Sequence, residues 1–246
     1  MCTLSWIPGL DGHVLMVNRD ERRTRPRALP PSVLVVDGVS VLAPTDPEGG
    51  GTWVAVNSAG VTLALANRYH DTIPAERWHR VSRGRLVTSL ASASGLEEIE
   101  ARLAEERLQR FDGFTLVALE PGAPARLFAW DGRALSAEVR SAPGLLVASS
   151  AADEVAAVAA RRAVFAEVPS VEGWTRRALC RAHSSHAPAQ GPLSICMHRD
   201  EASTVSLTHV EVDPERVTMT YHAGQPCTCP TTTTASLART AVAIGG

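Results

Sequence analysis

Short apolar runs broken by turn residues dominate the first third of the chain. Residues 2–7 and 13–17 read as strands around Pro8-Gly9-Leu10-Asp11-Gly12, and 33–36 and 39–42 flank Asp37-Gly38, a pair favoured in tight hairpins. Residues 52–56 and 61–66 lie either side of Asn57-Ser58-Ala59-Gly60, a further turn signal. The stretch from Arg22 to Pro31 holds Pro26, Pro30 and Pro31, which remove backbone donors and restrict the residues before them. It is predicted to be neither a central strand nor a long helix.

The middle of the chain changes period. Ser94-Gly95-Leu96-Glu97 has the form of a capping box, and Leu96, Ile99, Leu103 and Phe111 follow at helical spacing. A short helix over 82–92 precedes it. Strands are predicted at 114–119, 126–130, 134–139 and 145–148, then helices over 152–166 and 171–181. The Ser/His/Pro-rich stretch 183–192 reads as a loop in which His183 and His186 are solvated. Strands at 194–197, 203–210 and 216–221 end the pattern. Residues 1–223 are expected to form one domain, and 224–246 a poorly ordered tail with little to bury.

Strands in number, with helices in separate blocks, point to the α+β class: two packed sheets covered outside by helices. With 246 residues and 45% hydrophobic content, the chain can build a core without disulfides or metals. A net charge of -2 gives no electrostatic case for nucleic acid or an anionic membrane. There is no signal-peptide pattern and no apolar run of about 18 residues, so a soluble, cytoplasmic protein without membrane insertion is expected. The five cysteines, Cys2, Cys180, Cys196, Cys227 and Cys229, are irregularly spaced, which argues against a disulfide framework. Cys227-Thr228-Cys229 is the one close pair; with no second pair or histidine nearby in sequence, it reads as part of the loose tail.

The chemistry concentrates at the N-terminus. Removal of Met1 would leave Cys2 with a thiol and an α-amine on one residue, of pKa about 8.5 and about 8, so either can take the proton the other releases. A hairpin of the first two strands brings Asn18, Arg19, Asp20 and Glu21 beside Cys2. An arginine there favours the thiolate, and a carboxylate can hold that arginine or accept from the terminal ammonium. Gly49-Gly50-Gly51 allows close backbone approach in a pocket wall or a bulge. Asn67 ends a strand, where its amide either donates to a developing oxyanion or makes a turn.

Together, Met1-Cys2-Thr3-Leu4, Asn18-Arg19-Asp20-Glu21, Gly50-Gly51-Thr52-Trp53 with Val56-Asn57 and Gly60, and Ala64-Leu65-Ala66-Asn67 carry a resemblance. The sequence resembles the NRDE family, whose eukaryotic relatives are the transport-and-Golgi-organisation proteins, over most of residues 1–221. Ser82-Arg83-Gly84, Gly113-Phe114 and Ser203-Thr204-Val205 extend it. The resemblance implies a four-layer α-β-β-α sandwich of the N-terminal-nucleophile hydrolase type. It also implies kinship with bile-salt and penicillin V acylases, in which a processed cysteine attacks a linear amide. On that basis Cys2 is the nucleophile, Arg19 and Asp20 its polar surround with Asn18 and Glu21 behind them, and Asn67 an oxyanion contributor. Where such proteins carry an Asn after a Gly-containing strand, this chain has Ser149-Ser150, and Ser150 is the expected substitute. Arg199 is a shifted candidate for an arginine that the family places ahead of its Ser-Thr.

Three functions fit this reading. The first is hydrolysis of a small-molecule amide without a cofactor. The second is haem or small-molecule binding and trafficking on the same fold, with His70, His198, His222 or Cys2 as ligands to iron. The third is a structural or interaction role around a relic pocket.

Overall fold

The computed structural model describes residues 2–69, 80–151, 153–171, 173–228 and 231–240. Two antiparallel sheets lie face to face. One has the order β10-β1-β2-β11-β12-β13, from β1 (Cys2–Pro8), β2 (His13–Arg22), β10 (Gly144–Ala148), β11 (Ala202–Val212), β12 (Arg216–Ala223) and β13 (Thr231–Ala238). The other is a meander of consecutive strands: β3 (Leu29–Val36), β4 (Val39–Thr45), β5 (Val54–Asn57), β6 (Thr62–Asn67), β7 (Phe114–Leu119), β8 (Ala125–Trp130) and β9 (Leu135–Arg140).

Helices cover both outer faces. Helices α1 (Arg83–Leu90) and α2 (Leu96–Glu105) pack on the meander, and α3 (Glu154–Val171) and α4 (Arg176–His183) on the other sheet. The strands show why. In β6, Ala64 and Ala66 point into the core between the sheets, while Leu63 and Leu65 point outward to Leu86, Leu90 and Ile99. A strand buried on both faces must be apolar at nearly every position, and Thr62 to Ala66 are all buried. Leu4, Trp6, Leu15, Val17 and Met219 meet Leu42, Val56, Val117 and Leu127 across the central layer. Met16 and Leu207 face Phe165, Leu179 and Ala182 behind. This is the expected four-layer sandwich. Among the described residues, no helix is long and apolar enough to cross a membrane.

Local chemistry shifts several boundaries. At the start of α2, Leu96 N donates to Glu120 (2.9 Å), Ser94 donates through its N–H and hydroxyl to Glu98 (2.8 and 2.7 Å), and Glu97 turns away to Arg126. Strand β2 runs to Arg22, so residues 18–21 lie inside it; β11 pairs with them from the far side, Thr204 opposite Asp20. Pro30 and Pro31 fall in β3 at the sheet edge, where the register with β4 is irregular and a missing donor is tolerated. No strand forms at 194–197. Its backbone groups are satisfied piecemeal: Ile195 O accepts from Asn18 Nδ2 (3.0 Å), Met197 N donates to Thr204 Oγ1 (2.8 Å), Cys196 N donates to Ser185 O (3.0 Å) and Met197 O accepts from Thr204 N (2.9 Å). Helix α3 extends to Val171, and α4 begins only after Thr175, whose hydroxyl accepts from Ala178 N (3.1 Å).

The C-terminal segment departs most from expectation. Rather than a loose tail, Thr231–Ala238 forms β13, paired with β12 from Ala223↔Thr231 to Arg216↔Ala238. β-Branched threonines suit an edge strand, and Ala235 and Leu237 reach the central core. Truncation after Thr228 removes these contacts and exposes the β12 edge. We expect a loss of about 3 kcal/mol, hence a melting temperature lower by roughly 6–12 °C in a chain of this size. A truncated protein that melts with the intact one would show that β13 adds nothing to the core.

Candidate active site at the start of the first strand

Cys2 opens β1, and the strand register decides what surrounds it. Arg19 lies directly opposite on β2, and on the other side β10 brings Ser149 alongside. Cys2 N donates to Ser149 Oγ (3.1 Å), and Ser149 N donates back to Cys2 O (3.0 Å). Cys2 is 6% exposed, at the foot of a cleft of 380 Å³ lined also by Arg19, Glu21, Asp46, Trp53, Asn67 and Arg83. Gly51 and Gly84 build one wall: a Cβ on Gly51 would lie 2.3 Å from the Gly84 carbonyl carbon, so the start of α1 can sit this close only against glycine.

Strand alternation divides the 18–21 segment. Arg19 and Glu21 face the cleft. The Arg19 guanidinium stacks 4.6 Å over Trp53 and lies 3.2 Å from Asp46, which also receives two bonds from Arg25 at 2.7 and 3.2 Å. Burial pushes the Asp46 carboxyl up, but the Arg25 hydrogen bonds and the charges of Arg19 and Arg25 prevail and hold it below its ordinary value. At Cys2 the balance goes the other way. Burial raises the thiol pKa against the pull of the N-terminal ammonium and Arg19, and Asp20 and Glu21 add to the rise. The thiolate expected from a neighbouring arginine is therefore not the resting form.

Asp20 borders the cleft but turns its carboxylate toward the helices. It meets the wholly buried Arg161 of α3 (3.4 Å) and accepts from Thr204 Oγ1 (2.6 Å). Arg161 also donates to Thr3 Oγ1 (2.9 Å) and Ser149 O (3.3 Å), so one guanidinium ties together the strands on both sides of Cys2. Removing one partner of such a buried pair costs about 3–5 kcal/mol. Sequence reading missed Arg161, although the signal was present: Ala157, Phe165 and Val168 form a buried stripe at helical spacing, with Arg161 inside it.

Asn18 is behind the cleft, not in it. Its Nδ2 donates to His183 O (2.9 Å) and Ile195 O (3.0 Å), so its Oδ1 accepts from His183 Nδ1–H (3.0 Å). His183 Nε2 is then the acceptor for Ser5 Oγ–H (2.7 Å). The expected solvated loop histidine is thus a fully buried residue at the end of α4, clamping that helix to the sheet. Burial, with the charges of Arg161 and His209, lowers its pKa to about 3.

The remaining candidates separate. Asn67 lines the cleft and donates to Tyr69 Oη (3.2 Å). Ser149, rather than Ser150, touches Cys2; Ser150 is buried next to it. Arg199 does not line this cleft but a neighbouring pocket that shares Asn67 and Arg83 with it, and it is ion-paired to Glu201. His222 bonds Thr232 Oγ1 (3.1 Å), and His198 faces His186, so neither points at Cys2. His70 and Cys229 lie outside the described residues. Arg83, quoted only as part of a motif, enters the cleft and donates to Gly113 O (2.9 Å); burial lowers its pKa against the opposing effect of Tyr69 and Asp112.

Comparison with solved structures finds the same fold at low sequence identity. Penicillin V acylase from Agrobacterium tumefaciens is 10% identical with a TM-score of 0.55, covering 94% of this chain and 84% of its own. A mutant conjugated bile acid hydrolase from Clostridium perfringens gives 9% and 0.58, with 91% and 89% covered. The Caenorhabditis elegans ortholog of N-acylethanolamine-hydrolyzing acid amidase gives 10% and 0.59, with 85% and 92% covered. No curated protein matches the chain by sequence. The profile of one family, described as Transport and Golgi organisation 2, matches residues 11–174, and the chain belongs to that family.

Two measurements check this geometry. His183 has a folded pKa near 3 against an ordinary 6.5, so the unfolded chain binds the extra proton between these values. Its stabilisation is complete above about pH 6.5 and declines as pH falls toward 3. Relative to His183→Gln, the wild type should lose about 2 kcal/mol of its advantage between pH 7 and pH 5, read from urea midpoints. A constant gap would mean that His183 titrates normally in the fold. For the cleft, Arg19→Ala should shift the pH profile of Cys2 alkylation to higher pH, since a cation that favours thiolate is lost. An unmoved profile would remove Arg19 from the electrostatics of the thiol.

Proposed function

We propose that this protein hydrolyses a small-molecule amide, with Cys2 as nucleophile after removal of Met1. One observation carries the reading: Cys2 sits at the foot of an open cleft, its nitrogen hydrogen-bonded to Ser149 Oγ, with Arg19 across the strand pair. The names of the fold neighbours, an acylase, a hydrolase of conjugated bile acids and an acid amidase, support it.

A thiol whose pKa is raised by burial needs a base at hand. In the processed chain that base is the α-amine, formed from the nitrogen now bonded to Ser149. It takes the thiol proton as sulfur attacks the carbonyl carbon and the carbonyl electrons move to oxygen. The Asn67 amide donates to that oxyanion; an interaction of this kind is worth about 3–4 kcal/mol in the transition state. Collapse expels the leaving amine, which receives the proton from the ammonium, and a thioester remains on Cys2. Water, deprotonated by the same amine, attacks the thioester, releasing the carboxylic acid and restoring the thiol.

The cleft also selects a substrate class. Arg19 and Arg25 pair with Asp46, and Arg80 pairs with Asp112 at 2.8 Å. Arg83 has no carboxylate within ion-pair distance among the described residues, which suits it to an anionic group on the substrate. Soaking with N-acyl amides bearing a carboxylate should give an acyl adduct on the N-terminal peptide, absent in Cys2→Ala, which still binds. Arg83→Ala should raise KM about 10-fold with kcat little changed, a loss of about 1.4 kcal/mol. Retained Met1 in the folded protein, or a panel with no adduct together with tight stoichiometric haem binding, would overturn the proposal.

A further inference from the structure

Four side chains from separate parts of the chain converge away from the Cys2 cleft. The loop from Ser184 to Glu201 crosses the end of the six-stranded sheet without helix or strand, and it carries His186, Cys196 and His198. Cys227 comes from a short 3-10 turn, Pro226–Thr228, that follows β12. The four ligating atoms all lie within 4.8 Å of one another. Around His198 Nε2, His186 Nε2 is at 3.1 Å, Cys196 Sγ at 3.5 Å and Cys227 Sγ at 3.6 Å.

Hydrogen bonding does not account for this convergence. An imidazole nitrogen offers one lone pair or one N–H, in one direction, and here three polar atoms approach it together. A cation at the centre does account for it. Zinc held at about 2.3 Å from sulfur and about 2.0–2.1 Å from nitrogen has tetrahedral edges of about 3.6 Å between S and N and about 3.3 Å between N and N. The spacings at His198 match those edges. Beyond the ring, the Gln225 side-chain amide is 3.3 Å from His198 Nδ1. With its oxygen turned to the ring, it accepts Nδ1–H and leaves Nε2 as the metal ligand, the outer support that metal-bound histidines usually have.

We propose that His186, Cys196, His198 and Cys227 bind one structural Zn²⁺. Two thiols release their protons to solvent as two Zn–S and two Zn–N bonds form. Four protein ligands leave no open position for catalysis, and the mixed thiolate–imidazole set in tetrahedral array favours zinc over harder cations. The site pins an irregular loop to the turn after β12. That loop includes Ile195, whose carbonyl receives Asn18 Nδ2, so the metal also steadies the layer behind Cys2. The inference is independent of whether Cys2 is catalytic.

Full-length protein purified under reducing conditions without chelator should contain about one zinc per chain by elemental mass spectrometry. Stripped and titrated with Co²⁺, it should develop thiolate-to-cobalt charge-transfer absorption with the intense visible bands of four-coordination. Cys196→Ser and His198→Ala should each lose that spectrum, and Gln225→Ala should weaken Co²⁺ binding roughly 10–100-fold. The titration of wild type decides the matter even if a variant fails to fold. Trace zinc with no charge-transfer band in reduced wild-type protein would overturn the proposal. So would a band unchanged in both ligand variants, or a Cys196–Cys227 disulfide that yields no Co²⁺ site after reduction.

Discussion

A guanidinium sealed from water behind the central strands holds the candidate site together. Arg161 has no solvent exposure, and its charge is tolerable only because Asp20, Thr3 and Ser149 supply oxygen around it. Those partners come from β2, from β1 and from the end of β10, the elements that meet at Cys2. A charge so placed contributes little net stability compared with a well-packed apolar side chain, but it penalises any arrangement that leaves it unpaired. The geometry around the thiol is thus fixed from behind, by a residue that never reaches the cleft.

The four residues 18–21 divide their work by strand parity. Asn18 and Asp20 serve the helical layer, one clamping His183 and the 195 carbonyl, the other balancing Arg161. Arg19 and Glu21 serve the cleft, with Arg19 stacked on Trp53 and shared with Asp46. A contiguous motif that reads as one polar patch is two half-motifs on opposite faces of a sheet. One half sets where the strand lies, and the other borders the thiol from the cleft side.

What the sequence made legible follows the range of the interaction. The β1–β2 hairpin is local, so the approach of Arg19 to Cys2 could be inferred from register. Most strands and helices of the meander half followed from period alone. Arg161, His183 and the choice of Ser149 over Ser150 depend on which helix or strand covers which face, and no local pattern encodes that. His186, Cys196, His198 and Cys227 were unreadable as a group for the same reason. Their spacing matches no single finger, and β11 and β12 lie between two of the thiols. Strand β13 was missed because four threonines look like a polar tail until an unpaired edge is there to receive them.

The two sheets also differ in how their strands are drawn from the chain. The meander uses neighbours only, from Leu29 to Arg140, whereas the sheet holding Cys2 joins its first two strands to partners that begin at Gly144 and Ala202. Pairings between near neighbours close quickly, and distant ones wait for chain that has not yet been made. During synthesis at about 5–20 residues per second, the β1–β2 hairpin therefore spends roughly ten seconds or more with open flanks before β11 exists. In that interval Cys2 is open to solvent, although in the finished fold it is almost covered. The order of translation thus leaves the start of β1 uncovered until the sheet closes over it.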